Sequence, residues 1–268
     1  MNLSLAQTLG LINLFLVIYI LIDSFEKISI YKEYLAGGLL SWSLLRKNSS
    51  FTSKPESFRN FIDIIFPVRP WLFLIGLRIG LSVVLLILPF NSPLFVLVYA
   101  CLFIIGSLVN LRNLAYKAET ENRFSLVIIG TLLLRSLLPT DMVTLASLWF
   151  IALQVCVAYL TAGISKLKNP DWRKGNGFKY MATSSELVPA PPINIYFAEH
   201  KTLARFINWL IILFECTFPV GLFVPVTFWF FFAGGVVLQL AIALGLRMGK
   251  FFWIWIATYP ALIFIAQQ

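Results

Sequence analysis

The sequence predicts an all-α polytopic membrane protein: a bundle of about eight transmembrane helices with short interfacial helices. Three observations predict it. Hydrophobic residues make up 59% of the chain and charged residues 12%, against roughly a quarter charged in soluble domains, and the mean hydropathy is +0.86. Apolar stretches at 8–23, 71–90, 93–111, 124–139, 142–164, 203–223, 226–246 and 251–266 reach or approach the roughly 20 residues a helix needs to cross a bilayer. None of these runs alternates with period two, which argues against a strand barrel. A single transmembrane domain over 1–268 is therefore expected.

The first span, 8–23, has no Lys or Arg before it and no clean small-x-small site after it, so it reads as a spanning helix rather than a cleaved signal. In the following loop, Ser53-Lys-Pro-Glu56 has the pattern of a capping box with proline in the first turn. Phe58, Phe61, Ile62, Ile65 and Phe66 then share one helical face, opposite Arg59, Asn60 and Asp63. This describes a short helix lying in the interface, with a re-entrant or simply packed helix as the alternative. Trp71, Trp209 and Trp253 fall where an aromatic belt would lie.

The basic residues sort by alternate connections. Lys27, Lys32, Arg46, Lys47, Lys54, Arg59 and Arg69 lie between the first two spans, and Arg112, Lys117 and Arg123 between the third and fourth. Lys166, Lys168, Arg173, Lys174, Lys179, Lys201 and Arg205 follow the fifth, and Arg247 and Lys250 join the last two. The other connections, Asn91-Ser92, Pro139-Thr140-Asp141 and Phe223-Val224-Pro225, carry no Lys or Arg. The positive-inside rule then places both termini outside and the long loops in the cytoplasm. The net charge of +9 reads as orientation and contact with the lipid bilayer, with no nucleic-acid partner required. Cys101, Cys156 and Cys216 lie inside apolar runs without metal-ligand spacing, as small packing residues do. With His200 as the one histidine, no metal site is expected.

Ionisable groups at membrane depth call for a partner or a purpose. Arg78, Arg135 and Glu215 are such groups, and Gln239 is a neutral group equally in need of hydrogen bonds. Glu215 pairs with Arg78, Arg135 or Lys166, or is kept protonated by desolvation. Arg135 has the alternative of reaching outward to the headgroups. Lys166 closes the run 142–164, after Gly163 and Ala162, which keep that surface thin. It is either a headgroup anchor or an amine that serves as a general base. Asn169-Pro170-Asp171, before Trp172 and Gly175, suggests a turn that folds back. Pro189-Ala-Pro-Pro192 reads as a stiff linker, and His200 as a solvated loop residue.

Ala162-Gly163-Ile164-Ser165-Lys166-Leu167, followed by Asp171-Trp172 and Gly175, resembles the A-G-x-x-K-L…W…G signature of vitamin K-dependent γ-carboxylase and its bacterial relatives. Those relatives are the HTTM (horizontally transferred transmembrane) proteins, which include the membrane component that matures the sporulation-delaying peptide toxin. Glu215 with Pro219, Gly249-Lys-Phe251 and Tyr34-Leu-Ala-Gly-Gly-Leu39 are similar to further family segments. A shorter form, A-G-x-x-K-L, also occurs in DoxX-like membrane proteins. The resemblance implies that Lys166 is the base that deprotonates a reduced quinone, so a quinone is the implied cofactor. Two departures stand beside it: Gln239 occupies a position where the carboxylases have histidine, and none lies near Asn122-Arg123.

The expected function is modification or maturation of a small peptide or another membrane-associated substrate in a bacterial inner membrane. Lys166, Glu215 and Gln239 are the candidate catalytic residues, and Arg78, Arg135 and Trp172 the candidate cofactor-binding ones. A soluble or membrane partner protein is part of that expectation. The alternatives are a non-catalytic scaffold or immunity partner and a DoxX-like redox subunit linked to quinone. A transporter is disfavoured, because neither a halved repeat nor a pair of broken helices is visible.

Overall fold

The structure is a computed structural model that describes residues 3–47, 49–89, 92–114, 120–177, 192–245 and 249–268. Asn91, Lys117, Lys179, Arg247 and residues 189–191 of the expected linker lie outside the described residues. Every regular element among the described residues is a helix. The chain divides into two compact units, one formed by Asn13–Ser147 and the other by Met1–Ile12 with Leu148–Gln268.

The first unit contains most of α1 (Leu5–Ser29), then α2 (Tyr31–Tyr34), α3 (Trp42–Leu45), α4 (Ser49–Thr52), α5 (Glu56–Ile65), α6 (Val68–Val84), α7 (Pro93–Asn113) and α8 (Thr120–Leu137). It ends with the start of α9 (Asp141–Lys168). Helix α7 packs on α6 and α8. Ser92 starts it by accepting a hydrogen bond from the Leu94 N–H, with proline in the first turn. Buried amides supply internal hydrogen bonds in place of water. The Asn13 amide donates to the Leu85 carbonyl and its oxygen accepts from the Tyr99 hydroxyl, while the Tyr19 hydroxyl donates to Asn122.

Between α5 and α6 the axis bends by 72°. Pro67, with an extended ψ of 156° and no N–H for the helical ladder, separates the two helices. Ile62 and Phe66 of the expected interfacial face are buried, whereas Phe61 is half exposed and Ile64 largely so. The helix begins at Glu56 with Pro55 at its N-cap and no side-chain cap. The capping box expected from Ser53 is therefore not the cap used, because the chain is still extended at Pro55. Trp71 is fully buried in an edge-to-face cluster with Phe66, so it is a core residue and not part of a lipid-facing belt.

The second unit continues α9 and adds α10 (Pro170–Lys174), α11 (Pro192–Glu199), α12 (Lys201–Phe223), α13 (Pro225–Gly245), α14 (Gly249–Ile256) and α15 (Tyr259–Ala266). Helix α12 is its hub, packing on α10, α11, α13 and α15. Its buried stripe runs through Ala204, Asn208, Ile212, Glu215, Phe218 and Leu222 at the spacing of one helical face.

Six stretches are long and apolar enough to cross a membrane: α1, α7, α9, α12, α13 and the combined Gly249–Ala266. The bent pair α5 and α6 makes a seventh if it counts as one span. The expected stretch 124–139 forms α8, but its helix carries Glu121, Arg123 and Arg135 and is less apolar than the rest. The polytopic helical character thus holds, with six or seven such stretches among the described residues where about eight were expected.

Candidate functional site

The last two turns of α9 lie directly against α12. A Cβ added at Gly163 would sit 2.8 Å from the Cys216 backbone nitrogen and 3.0 Å from the Glu215 Cβ. Only glycine permits that approach, and it brings the next turn of α9 level with the one carboxylate on the α12 stripe. Lys166 Nζ lies 2.6 Å from both carboxylate oxygens of Glu215. The Lys166 side chain keeps 21% of its exposure, while that of Glu215 keeps 4%. The carboxylate is thus inside the unit and the amine sits at its edge.

A short strap then folds back over the amine. Asn169 accepts from the Asp171 N–H and so caps α10, with Pro170 in the first turn. Gly175 ends the helix at φ +89°, a left-handed conformation that glycine adopts without steric cost. A Cβ there would meet Arg205 of α12 at 2.9 Å. The strap is pinned by the Asn208 amide, which donates to the Trp172 carbonyl at 3.0 Å. This places the Trp172 ring with its centroid 5.2 Å from Lys166 Nζ, within cation–π range. Lys166, Glu215 and Trp172 are therefore brought together.

Gln239 belongs to a neighbouring cluster of the same unit. Its amide donates to the Tyr159 hydroxyl at 2.9 Å, and the Tyr159 and Tyr259 hydroxyls are 3.5 Å apart. The Tyr159 ring stacks on Phe218 with centroids 3.9 Å apart. Tyr159 precedes Lys166 by seven residues, about 10 Å along one helical face. An apolar cleft lined by Phe218, Phe228, Phe231, Phe232, Tyr259 and Leu262 adjoins this cluster. Gln239 Oε1 has no partner among the described residues. Tyr159 and Tyr259 were not singled out in the sequence. The available signal was a tyrosine two turns before the lysine, on the same face.

The two arginines expected to bind a cofactor belong to the other unit. Arg78 Nη1 lies 2.5 Å from Asp23 Oδ2, and Lys27 Nζ 2.5 Å from Asp23 Oδ1. Ser24 accepts from Arg78 at 3.4 Å. The Arg135 Nε donates to the Thr144 hydroxyl at 3.4 Å, and its buried Nη1 has no partner among the described residues. Of the three cations weighed as partners for Glu215, Lys166 is the one that holds it. Asp23 is not among the sequence candidates, because Lys27 reads as a residue of the loop after the first span. Asp23 and Lys27 at i,i+4 within an apolar helix were the signal. His200 is exposed and donates through Nδ1 to the Tyr196 carbonyl, as a surface residue does.

In comparisons with known proteins, no curated protein and no solved structure matches the chain. The family model of the HTTM domain matches residues 125–268, which include the whole signature from Ala162 to Gly175 and the α12–α15 hub. That match covers more than half of the chain. With its long apolar helices, the chain is an integral membrane protein that belongs to the HTTM-domain family.

Proposed function

We propose that this HTTM protein takes part in the modification or maturation of a small peptide or another membrane-associated substrate. In this reading Lys166 accepts a proton from a lipid-soluble, quinol-type hydroxyl. The observation that carries it is the asymmetric pair, in which an amine with a fifth of its side chain exposed is held bidentately by a buried carboxylate. In the reacting form one ammonium proton has passed across the 2.6 Å contact to a Glu215 oxygen, leaving a neutral amine. A substrate O–H bond then breaks, its proton goes to Nζ, and the bonding electrons remain on the substrate oxygen. Glu215 holds the second proton until it is returned. Trp172 covers the amine and limits access by water. The Tyr159–Gln239 cluster offers hydrogen bonds to a ring system entering from the aromatic cleft.

The basic residues after alternate spans support a cytoplasmic side for Lys166, with both termini outside a bacterial inner membrane. A second reading has an observation of its own. The close approach at Gly163 fits the pair as a packing clamp, as expected of a scaffold that binds another membrane protein. The two are separated by mass spectrometry of small molecules extracted from purified wild type, Lys166→Ala and Lys166→Arg. A quinone or modified peptide present in wild type and lost in both variants supports the catalytic reading. Bulk phospholipid alone in all three rejects it in favour of the clamp.

A further inference from the structure

The sharpest unexplained feature outside that site is Arg112, in the last turn of α7. Its guanidinium carbon lies 4.6 Å from the Tyr34 ring centroid and 4.5 Å from that of Trp71, between the two aromatic side chains. Its Nη2 donates to the Leu40 carbonyl at 2.9 Å. Only 2% of the residue is exposed, and no carboxylate pairs with it among the described residues. Among the described residues its Nε has no partner, and neither does the indole N–H of fully buried Trp71.

Removing a guanidinium from water costs several kcal/mol. Two aromatic contacts return only part of that cost, and the carbonyl end of α7 supplies roughly half a charge. Among the described residues no full negative charge is set against it. A guanidinium is planar and presents a fork of N–H groups that matches phosphate oxygens, which makes phosphate the fitting anion.

The surroundings indicate where that phosphate comes from. The same core holds Trp42 and Phe66 at the bend between α5 and α6. There Phe61 is 50% and Ile64 72% exposed beside Arg59, an apolar edge next to a cation at the end of a span. Such a mixture marks the headgroup layer of a membrane. The exposed turn Leu35–Leu39, made possible by Gly37 at φ +93°, leads directly to the Leu40 carbonyl that holds Arg112.

We propose that Arg112, between Tyr34 and Trp71, is a phosphate site that takes the headgroup phosphate of a membrane phospholipid reaching it past the turn Leu35–Leu39. The test uses the purified full chain in a neutral detergent, with phosphatidylglycerol, diacylglycerol and inorganic phosphate as separate probes. Lipid retention is read by native mass spectrometry and stability by thermal unfolding. Phosphatidylglycerol is expected to be retained and to raise the unfolding midpoint, with diacylglycerol inactive. Arg112→Lys and Trp71→Phe, which keep a cation and an aromatic ring respectively, should each lower retention about tenfold, the loss expected for one charge-assisted hydrogen bond. If Arg112→Lys does not fold, Trp71→Phe decides alone. Lys54→Gln, which removes an exposed cation between α4 and α5, should leave retention unchanged. Equal retention in Trp71→Phe and wild type overturns the proposal, as does an equal loss in Lys54→Gln. An effect of inorganic phosphate without the lipid replaces the lipid with a free anion and also overturns it.

Discussion

The two units hold their internal charges in different ways. In Asn13–Ser147, Asp23 lies between Lys27 and Arg78, with side-chain exposures of 0%, 6% and 1%. In the other unit, Glu215 has one partner among the described residues, and that partner keeps a fifth of its side chain open. A sealed triad fixes helix packing but has no face from which a reagent can exchange a proton. A pair with a buried acid and an edge-placed amine offers such a face. The same residue types thus serve two ends, and access separates them.

The comparison is broken most directly at Asp23. Asp23→Leu removes the buried carboxylate that Lys27 and Arg78 share, and the expected loss is about 3–5 kcal/mol, seen as a collapse of the thermal unfolding midpoint in detergent. An unchanged midpoint would mean that the triad does not hold the unit together.

At Lys166 the loss should be smaller, because the amine is partly solvated. Lys166→Ala strands the Glu215 carboxylate and should cost about 1–3 kcal/mol. Lys166→Met combined with Glu215→Leu should restore most of that while abolishing any ligand-dependent signal. A double variant as unstable as the single one contradicts this account of the pair.

Gly163→Ala sharpens the geometric side. The added methyl meets backbone and side chain of α12, and overpacking of this kind costs typically about 1–3 kcal/mol. It should also separate the two helices enough to lengthen the Lys166–Glu215 contact, which a crystal or cryo-EM structure of the variant would reveal. If the contact is unchanged, Gly163 is not what sets it.

The smallest effect is expected at Gln239. Gln239→Leu removes one hydrogen bond to Tyr159 together with an unpartnered buried oxygen, so the net cost should be about 1 kcal/mol or less. A shift in unfolding midpoint as large as that of Asp23→Leu would assign the tyrosine cluster a structural weight equal to the triad.

Much of this was legible before any fold was known. The spans from Pro93–Asn113 and Lys201–Phe223 fall close to their apolar runs, because burial of a spanning helix in lipid is written in composition over about 20 residues. The strap after Lys166 was legible for a different reason. Asn169, Pro170 and Gly175 are a cap, a first-turn residue and a left-handed terminus, all set by local backbone sterics. At Ser53 the same logic failed, since the extended Pro55 moved the helix start forward.

By itself, then, the sequence determined the membrane setting, the helical elements and the lysine on which the functional reading turns. Each of these rests on interactions within a few turns of chain or on the contrast between lipid and water. Only the tertiary structure decided which acid holds Lys166, that Arg78 faces Asp23, and that Arg112 stands between two aromatic rings. Those pairings join residues 49 and 55 positions apart in the first two cases. No local periodicity encodes them. Buried charges find their partners through helix packing, and the packing is set at contacts such as Gly163 against Cys216, which no single stretch of the sequence contains.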